Sequence, residues 1–137
     1  MNNKEKTKLV HSDISYKIIG VLFDVYNELG FGYQEKYYYK AIREGLKKSS
    51  LSFKEQLPIP IKYGDSKIGI YYLDFVVNEK VVLEIKQGER FLKKHFDQVL
   101  AYLKSSGLEL GILAGFTSNG IKFKRVLNIN PYIRKNP

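Results

Sequence analysis

A glutamate and a lysine separated by one residue, Glu84 and Lys86, are the first candidates for chemistry in this sequence. They close an apolar run that begins at Val81, and such a run is typical of a β-strand covered on both faces. Isolated charges are costly in a buried strand, so they usually serve a purpose there. Taken alone, the tripeptide is common and favours a structural ion pair over a catalytic role. A second acid, Asp74, favours the functional interpretation.

The spacing between Asp74 and Glu84 predicts that their side chains lie opposite each other in a β-hairpin. If residues 78–80 form the loop, the two carboxylates share one face of the sheet. Their Cβ atoms would lie about 4.5 to 5.5 Å apart, where like charges repel unless a cation lies between them. The same register places Lys86 opposite Tyr72, with its ammonium group directed into the site.

These residue types suit phosphodiester hydrolysis assisted by a metal ion. Carboxylates such as Asp74 and Glu84 hold Mg²⁺ or Mn²⁺, and the metal polarises a phosphate and lowers the pKa of its bound water. A lysine such as Lys86 helps to orient that water or stabilises negative charge. The pattern therefore predicts a metal-dependent nuclease with these three residues at its centre.

The bulk composition agrees with a nucleic-acid partner. The chain of 137 residues is of a size for one domain, and its 23 Lys and Arg against 14 Asp and Glu give a net charge of +9. The absence of cysteine excludes disulfides, thiolate metal sites and cysteine nucleophiles. No apolar run is long enough to cross a membrane, so we expect a cytoplasmic protein without a membrane partner.

The periodicity of apolar residues predicts a mixed α/β sheet flanked by helices. Helical spacing occurs in three segments, and β-type patterns occur in six, with a loose terminus at each end of a core at about 13–128. The predicted helices are 13–29, 33–48 and 91–104. The predicted strands are 51–56, 59–63, 67–77, 81–86, 108–116 and 121–127. Such an order forms a single domain around one sheet.

The arrangement of Asp74, Glu84 and Lys86 resembles the PD-(D/E)XK nuclease superfamily. In that superfamily an Asp on one strand and the pattern Glu or Asp, any residue, Lys on the next strand form the metal site. The resemblance implies a core of the restriction-endonuclease type and a nuclease that uses Mg²⁺ or Mn²⁺. It also implies a nucleic-acid substrate, with DNA favoured over RNA, and allows a homodimer.

A closer resemblance involves residues 29–38. This stretch is similar to the signature of the GxxExxY proteins, a group within the superfamily, with Gly32, Glu35 and Tyr38 at the named positions. Further matches follow in order along the chain, so the resemblance covers about residues 13–128. One departure is the tyrosine at position 26, where members of the group often carry histidine.

The resemblance adds residues to the site. It implies that Glu35 is a further catalytic acid and metal ligand, and that Gln98 and Tyr102 match the Gln, three residues, Tyr motif of RecB-type nucleases. Gln98 and Tyr102 share a helix face, where they suit contact with a phosphate backbone or with Lys86. The same features also suit simpler roles, since Glu35 favours a helix N-terminus and Tyr102 fits an apolar stripe.

Nucleic-acid contacts are also expected near the start of the third helix. His95 matches the GxxExxY pattern, although a lone histidine is as often a packing residue. Lys93 and Lys94 are candidates for phosphate contacts. Two alternatives to a nuclease stay open, which are a nucleic-acid-binding module that does not cut and a protein-interaction module on the same fold.

Overall fold

The protein is organised around a five-stranded β-sheet with helices on both faces. The computed structural model describes residues 10–129. The elements are α1 (Ser12–Leu29), α2 (Glu35–Lys48), β1 (Phe53–Tyr63), β2 (Ser66–Val77), β3 (Val81–Gln87), α3 (Lys93–Ser106), β4 (Leu110–Thr117) and β5 (Gly120–Leu127). This architecture confirms the predicted mixed α/β sheet flanked by helices. No helix in the described range is long and apolar enough to span a membrane.

The strand order of the sheet is the order of the chain, β1-β2-β3-β4-β5. β3 and β4 run parallel, and the other neighbouring strands run antiparallel. A parallel pair needs a crossover connection, and α3 provides it. The chain therefore passes from the end of β3 through a short loop into the first turn of α3.

Two hydrophobic clusters lie on opposite faces of the sheet. The first packs α1 and α2 against one face, and the second packs α3 against the other. The first cluster includes Ile18, Leu22, Tyr38, Ile42, Phe75, Leu83, Ile85, Ile112 and Phe116, and the second includes Leu57, Leu73, Val76, Val82, Val99, Leu103 and Val126. Because side chains alternate along β3, Glu84 lies on the α3 face with Val82.

The first strand is continuous, although the sequence predicts two strands separated at Pro58. β1 spans Phe53–Tyr63 and includes Pro58 and Pro60. Proline lacks a backbone N–H, so it interrupts a central strand but is tolerated at an edge. β1 is paired with β2 alone and lies at an edge of the sheet, so the two prolines are tolerated and the prediction of two strands was wrong.

The alternation of side chains breaks at Asp74 in β2 and at Gln56 in β1. A period of two would place Leu73 on the same face as Phe75, yet Leu73 packs in the second cluster and Phe75 in the first. Gln56 has a left-handed backbone with φ of 53°, and it is left out of the pairing of β1 with β2 at the level of Asp74. Both strands therefore turn their side chains to the other face at this level.

β2 and β3 pair over a short distance and then separate. The paired residues are Val77 with Val81, Val76 with Val82, and Phe75 with Leu83. This confirms the predicted hairpin register over these pairs. Beyond them β2 stays paired with β1, and β3 stays paired with β4. The strands therefore part at the next position, which is where Asp74 and Glu84 lie.

Close packing of α3 on the sheet depends on Gly111 in β4. A Cβ atom at this position would lie 2.5 Å from Cγ1 of Val99, a stiff side chain on α3. We expect Gly111→Ala to lower the free energy of unfolding by about 1 to 3 kcal/mol, measured by urea denaturation.

Gly20→Ala is the matched control for this prediction. Gly20 is exposed within α1, and an added Cβ would meet nothing within 4 Å. Helix propensity predicts that this change raises the free energy of unfolding by about 0.5 to 1 kcal/mol. A similar effect of both substitutions would contradict the packing argument.

Candidate active site

Asp74 and Glu84 each bind the backbone of the other's strand where β2 and β3 separate. The backbone N–H of Asp74 donates to Oε1 of Glu84 at 2.9 Å, and the N–H of Ile85 donates to Oδ2 of Asp74 at 2.8 Å. Buried N–H groups need partners, and these bonds supply them at a point where strand pairing ends. The two carboxyl groups therefore face each other, as the hairpin register predicts.

Tyr71 and Lys86 complete a network around Glu84. The Tyr71 hydroxyl donates to Oε2 of Glu84. Lys86 Nζ lies 3.4 Å from the same oxygen and donates to the Tyr71 hydroxyl at 3.2 Å. Lys86 thus points into the site as predicted, but the prediction that it faces Tyr72 was wrong. The break in alternation at Asp74 turns Tyr71 towards the α3 face instead.

Burial intensifies the electrostatics of this network. Glu84 is 1% exposed, and the Lys86 side chain is 19% exposed. Burial, followed by the negative charge of Glu84, raises the pKa of Asp74 to about 8. Burial alone would lower the pKa of Lys86, but the charge of Glu84, the hydrogen bond with Tyr71 and the charge of Glu35 together outweigh burial and raise that pKa. A cation between the carboxyl groups would favour the ionised form of Asp74.

Glu35 reaches the end of β3 from the first turn of α2. Its Oε1 accepts a hydrogen bond from the backbone N–H of Gln87 at 3.2 Å. Within residues 10–129, no three His, Asp or Glu side chains are close enough to hold a metal ion together. The structure therefore pairs Asp74 with Glu84 and places Glu35 further along, at the end of β3.

The first turns of α3 carry His95 and Gln98. Burial, followed by the charges of Lys86 and Lys94, lowers the pKa of His95, so its ring is neutral at neutral pH. Nδ1 of His95 accepts a hydrogen bond from the N–H of Leu92 at 3.1 Å, which leaves the ring proton on Nε2. Gln98 shares this helix face. In the described part of the chain, its side-chain oxygen is buried without a hydrogen-bond partner.

The other residues expected on α3 divide into packing and surface positions. Tyr102 packs against the second hydrophobic cluster. Lys93 and Lys94 are exposed in the first turn, and Lys93 Nζ lies 3.2 Å from Oδ2 of Asp97. The two lysines are thus the ones presented to solvent, while Tyr102 helps to hold α3 on the sheet.

The chain is similar to known proteins over most of its length. A family model described as the PD-(D/E)XK nuclease superfamily matches residues 12–126. This chain belongs to that superfamily. The matched range includes Asp74, Glu84 and Lys86. The structure brings these three side chains of the PD-(D/E)XK protein together.

One solved structure with a similar fold is titled "Crystal structure of SSO0001". The two chains superpose with a TM-score of 0.51 at 20% sequence identity, and the match covers 94% of this PD-(D/E)XK chain. It covers 65% of the other chain, so this chain spans just under two thirds of that protein's length. At this identity the likeness concerns the fold alone. No curated protein matches the chain significantly.

Tyr71 is the member of this PD-(D/E)XK site that sequence reasoning missed. The tyrosine pair at positions 71 and 72 was a signal that an aromatic residue lies beside Lys86. Counting in steps of two selected the wrong member of that pair. The left-handed backbone of Gln56 accompanies the break in alternation, and glutamine is not a residue type that marks such a conformation.

A separate cavity of about 300 Å³ lies between α1 and α2. Its charged lining residues are Asp24, Glu28, Glu44 and Lys48, so acids outnumber bases, and neither Asp74 nor Glu84 is among them. A negatively charged lining does not suit a polyanionic substrate. The candidate active site of this PD-(D/E)XK chain is therefore the separation between β2 and β3 and not this cavity.

The raised pKa of Asp74 predicts that the metal-free protein becomes less stable as the pH rises. Its carboxyl group ordinarily titrates near 4 in an unfolded chain, and the folded protein favours the protonated form. The stabilising contribution is complete below about pH 4 and is lost as the pH rises to about 8. Asp74→Asn cannot ionise, and its amide oxygen can still accept the bond from Ile85.

We therefore expect the melting temperature of Asp74→Asn, relative to that of the wild type, to increase between about pH 4 and about pH 8. Thermal unfolding with EDTA at a series of pH values measures this difference. A difference that stays constant with pH would contradict the raised pKa of Asp74 and the burial and carboxylate charge that cause it.

Proposed function

We propose that this chain is a metal-dependent nuclease that hydrolyses phosphodiester bonds, with Asp74 and Glu84 as metal ligands. The observation that carries the proposal is the buried pair of opposed carboxyl groups with the Lys86 ammonium 3.4 Å from Glu84. Two carboxylates, completed by water and substrate oxygens, are a usual ligand set for Mg²⁺ or Mn²⁺. The bound ion would supply a polarised phosphate and a more acidic water.

The residues around the carboxylates have separate roles in this proposal. Lys86 is held by Glu84 and stabilises the negative charge that develops on the phosphate. Gln98 offers a buried acceptor that orients the attacking water through its free oxygen. His95 presents a neutral Nε2–H to a phosphate oxygen. Glu35 holds the end of β3, and so the position of Lys86, and would contribute a further carboxylate to the metal site.

We further propose membership of the GxxExxY group within the superfamily. Each signature residue has a definite place at the connection between α1 and α2. Gly32 has a φ of 116°, which favours glycine, and the Glu35 carboxylate accepts the N–H of Gln87. The Tyr38 hydroxyl donates to the carbonyl of Gly30 at 2.6 Å. The signature thus attaches α2 to the end of β3.

The remaining parts of the proposal concern substrate and setting. The net charge of +9 supports a nucleic-acid substrate. We propose that this substrate is DNA rather than RNA. Lys93 and Lys94 are proposed as phosphate contacts, and Tyr102 as a support that holds α3 beside the strand. A cytoplasmic location and a homodimer also belong to the proposal, and gel filtration with and without oligonucleotide tests the second of these.

The direct test is cleavage of labelled single-stranded and double-stranded DNA and RNA with Mn²⁺ or EDTA. We expect metal-dependent cleavage that Glu84→Gln abolishes. Lys86→Ala should lower the rate constant about 100- to 1000-fold, as for other groups that stabilise developing charge. Lys80→Ala, in the exposed loop of the same hairpin, is the matched control and should cleave like the wild type.

Metal binding gives a second readout that does not depend on the choice of substrate. Mn²⁺ should raise the melting temperature of the wild type and of Lys80→Ala, but not that of Glu84→Gln. Cleavage that survives in Glu84→Gln or in EDTA would overturn the proposal. The same holds for a metal-induced stabilisation that is equal in all three proteins.

A second candidate function is nucleic-acid binding without cleavage. Both carboxylate oxygens of Glu84 already accept hydrogen bonds from Asp74 and Tyr71, and such a saturated arrangement also suits a structural ion pair with Lys86. This candidate predicts salt-sensitive binding that persists in Asp74→Asn and Glu84→Gln, without stabilisation by Mn²⁺. Stable capture of a protein and no retention of nucleic acid would instead favour the interaction module.

A further inference from the structure

Three large aromatic side chains are exposed at the connection between α1 and α2. Phe31, Tyr33 and Tyr37 are 43%, 48% and 45% exposed, and together they are called the aromatic patch. Aromatic residues scattered over a surface are ordinary, but these three occur within seven consecutive positions. The proposed hydrolysis uses none of them, so the aromatic patch calls for an explanation of its own.

The backbone of the aromatic patch is held in place by Tyr38, which is fully buried in the core. The Tyr38 hydroxyl donates to the carbonyl of Gly30 at 2.6 Å and accepts the backbone N–H of Tyr33 at 3.3 Å. The ring of Tyr33 meets that of Tyr37 edge to face, with 6.2 Å between centroids. A surface arranged in this way loses little conformational entropy when a ligand binds.

The sequence neighbours of the aromatic patch, Glu35 and Tyr38, connect it to the end of β3. Tyr38 stacks on Phe116 with 4.1 Å between ring centroids, and Phe116 pairs with Gln87 in the sheet. Independently, the Glu35 carboxylate accepts the N–H of Gln87. Gln87 follows Lys86 directly and lies about 10 Å from Glu84 at the usual rise of a strand.

The charges around the aromatic patch favour an anionic partner. Within residues 31–40 the charged side chains are Glu35, Lys36 and Lys40, and the carboxylate of Glu35 is engaged by Gln87. Lys36 Nζ lies 5.1 Å from the centre of the Tyr37 ring. Exposed aromatic rings interleaved with lysines are the usual means by which proteins bind single-stranded nucleic acid.

We infer that the aromatic patch stacks against an unpaired base of the nucleic-acid strand whose phosphate lies at Asp74 and Glu84. The substrate class is then single-stranded nucleic acid, or a junction or flap with unpaired bases, because the faces of paired bases inside a duplex are covered by their neighbours. The identity of the ligand rests on the proposed nuclease function. The stacking itself does not depend on cleavage.

The test compares the affinities for a fluorescent oligothymidylate and for a duplex of the same length, measured by anisotropy with EDTA present. In Tyr33→Ala/Tyr37→Ala we expect the affinity for the single strand to fall about 5- to 150-fold for each base that loses its stack, and by more than the affinity for the duplex. Tyr37→Phe should retain single-strand binding and Tyr37→Leu should lose it, since stacking needs the ring and not the hydroxyl.

Tyr16→Ala is the matched control, because Tyr16 is 82% exposed on α1 and lies outside the aromatic patch. It should bind both oligonucleotides like the wild type. Equal losses for single strand and duplex, no loss in the double variant, or no binding by the wild type would each overturn the inference. A concentration-dependent dimer that the double variant cannot form would also overturn it, in favour of a protein contact.

The outcomes separate this inference from the proposed function. One outcome is preferential single-strand binding that requires Tyr33 and Tyr37 but no metal-dependent cleavage. It would support base stacking by the aromatic patch and reject the proposed nuclease function. Metal-dependent cleavage with unchanged strand preference in the double variant would do the opposite.

Discussion

The site depends on the burial of two carboxyl groups at the position where two neighbouring strands part. Asp74 and Glu84 accept the backbone N–H groups near that point, so they stabilise the separation of β2 from β3. Holding two acidic groups together away from water is costly, and the cost is visible in the raised pKa of Asp74. The same constraint explains why Lys86 is drawn towards Glu84. An arrangement that is unfavourable without added positive charge is well suited to binding a cation.

The break in alternation beside the separated strands gives the site its fourth side chain, Tyr71. β1 and β2 turn their side chains to the opposite face at Gln56 and Asp74, which moves Tyr71 to the face that carries Glu84 and α3. Side chains normally alternate along a strand without interruption. Here one residue in each strand departs from the alternation, so the change of face is local. It is accommodated at the edge of the sheet, where β1 has a single neighbour.

Several elements meet at the end of β3. The parallel pairing of β3 with β4 requires a crossover, so α3 begins close to Lys86. The first turns of α3 place His95 and Gln98 on the side of the sheet that carries Glu84. From the other face, α2 reaches the same strand end through the bond between Glu35 and Gln87. Residues that are distant in the chain are thus placed around one short segment of backbone.

The sequence by itself determined the helices, the strands after the first, the hairpin register and the opposition of Asp74 to Glu84, because periodicity and loop length are local properties. Only the tertiary structure decided that β1 is one strand, since Pro58 and Pro60 are tolerated there by the edge position. It likewise selected Tyr71 over Tyr72 and directed Glu35 to Gln87. These outcomes depend on the edge position of β1, on the break in alternation at Asp74 and on the meeting of α2 with the end of β3. All three are set by contacts between segments that are far apart in the chain.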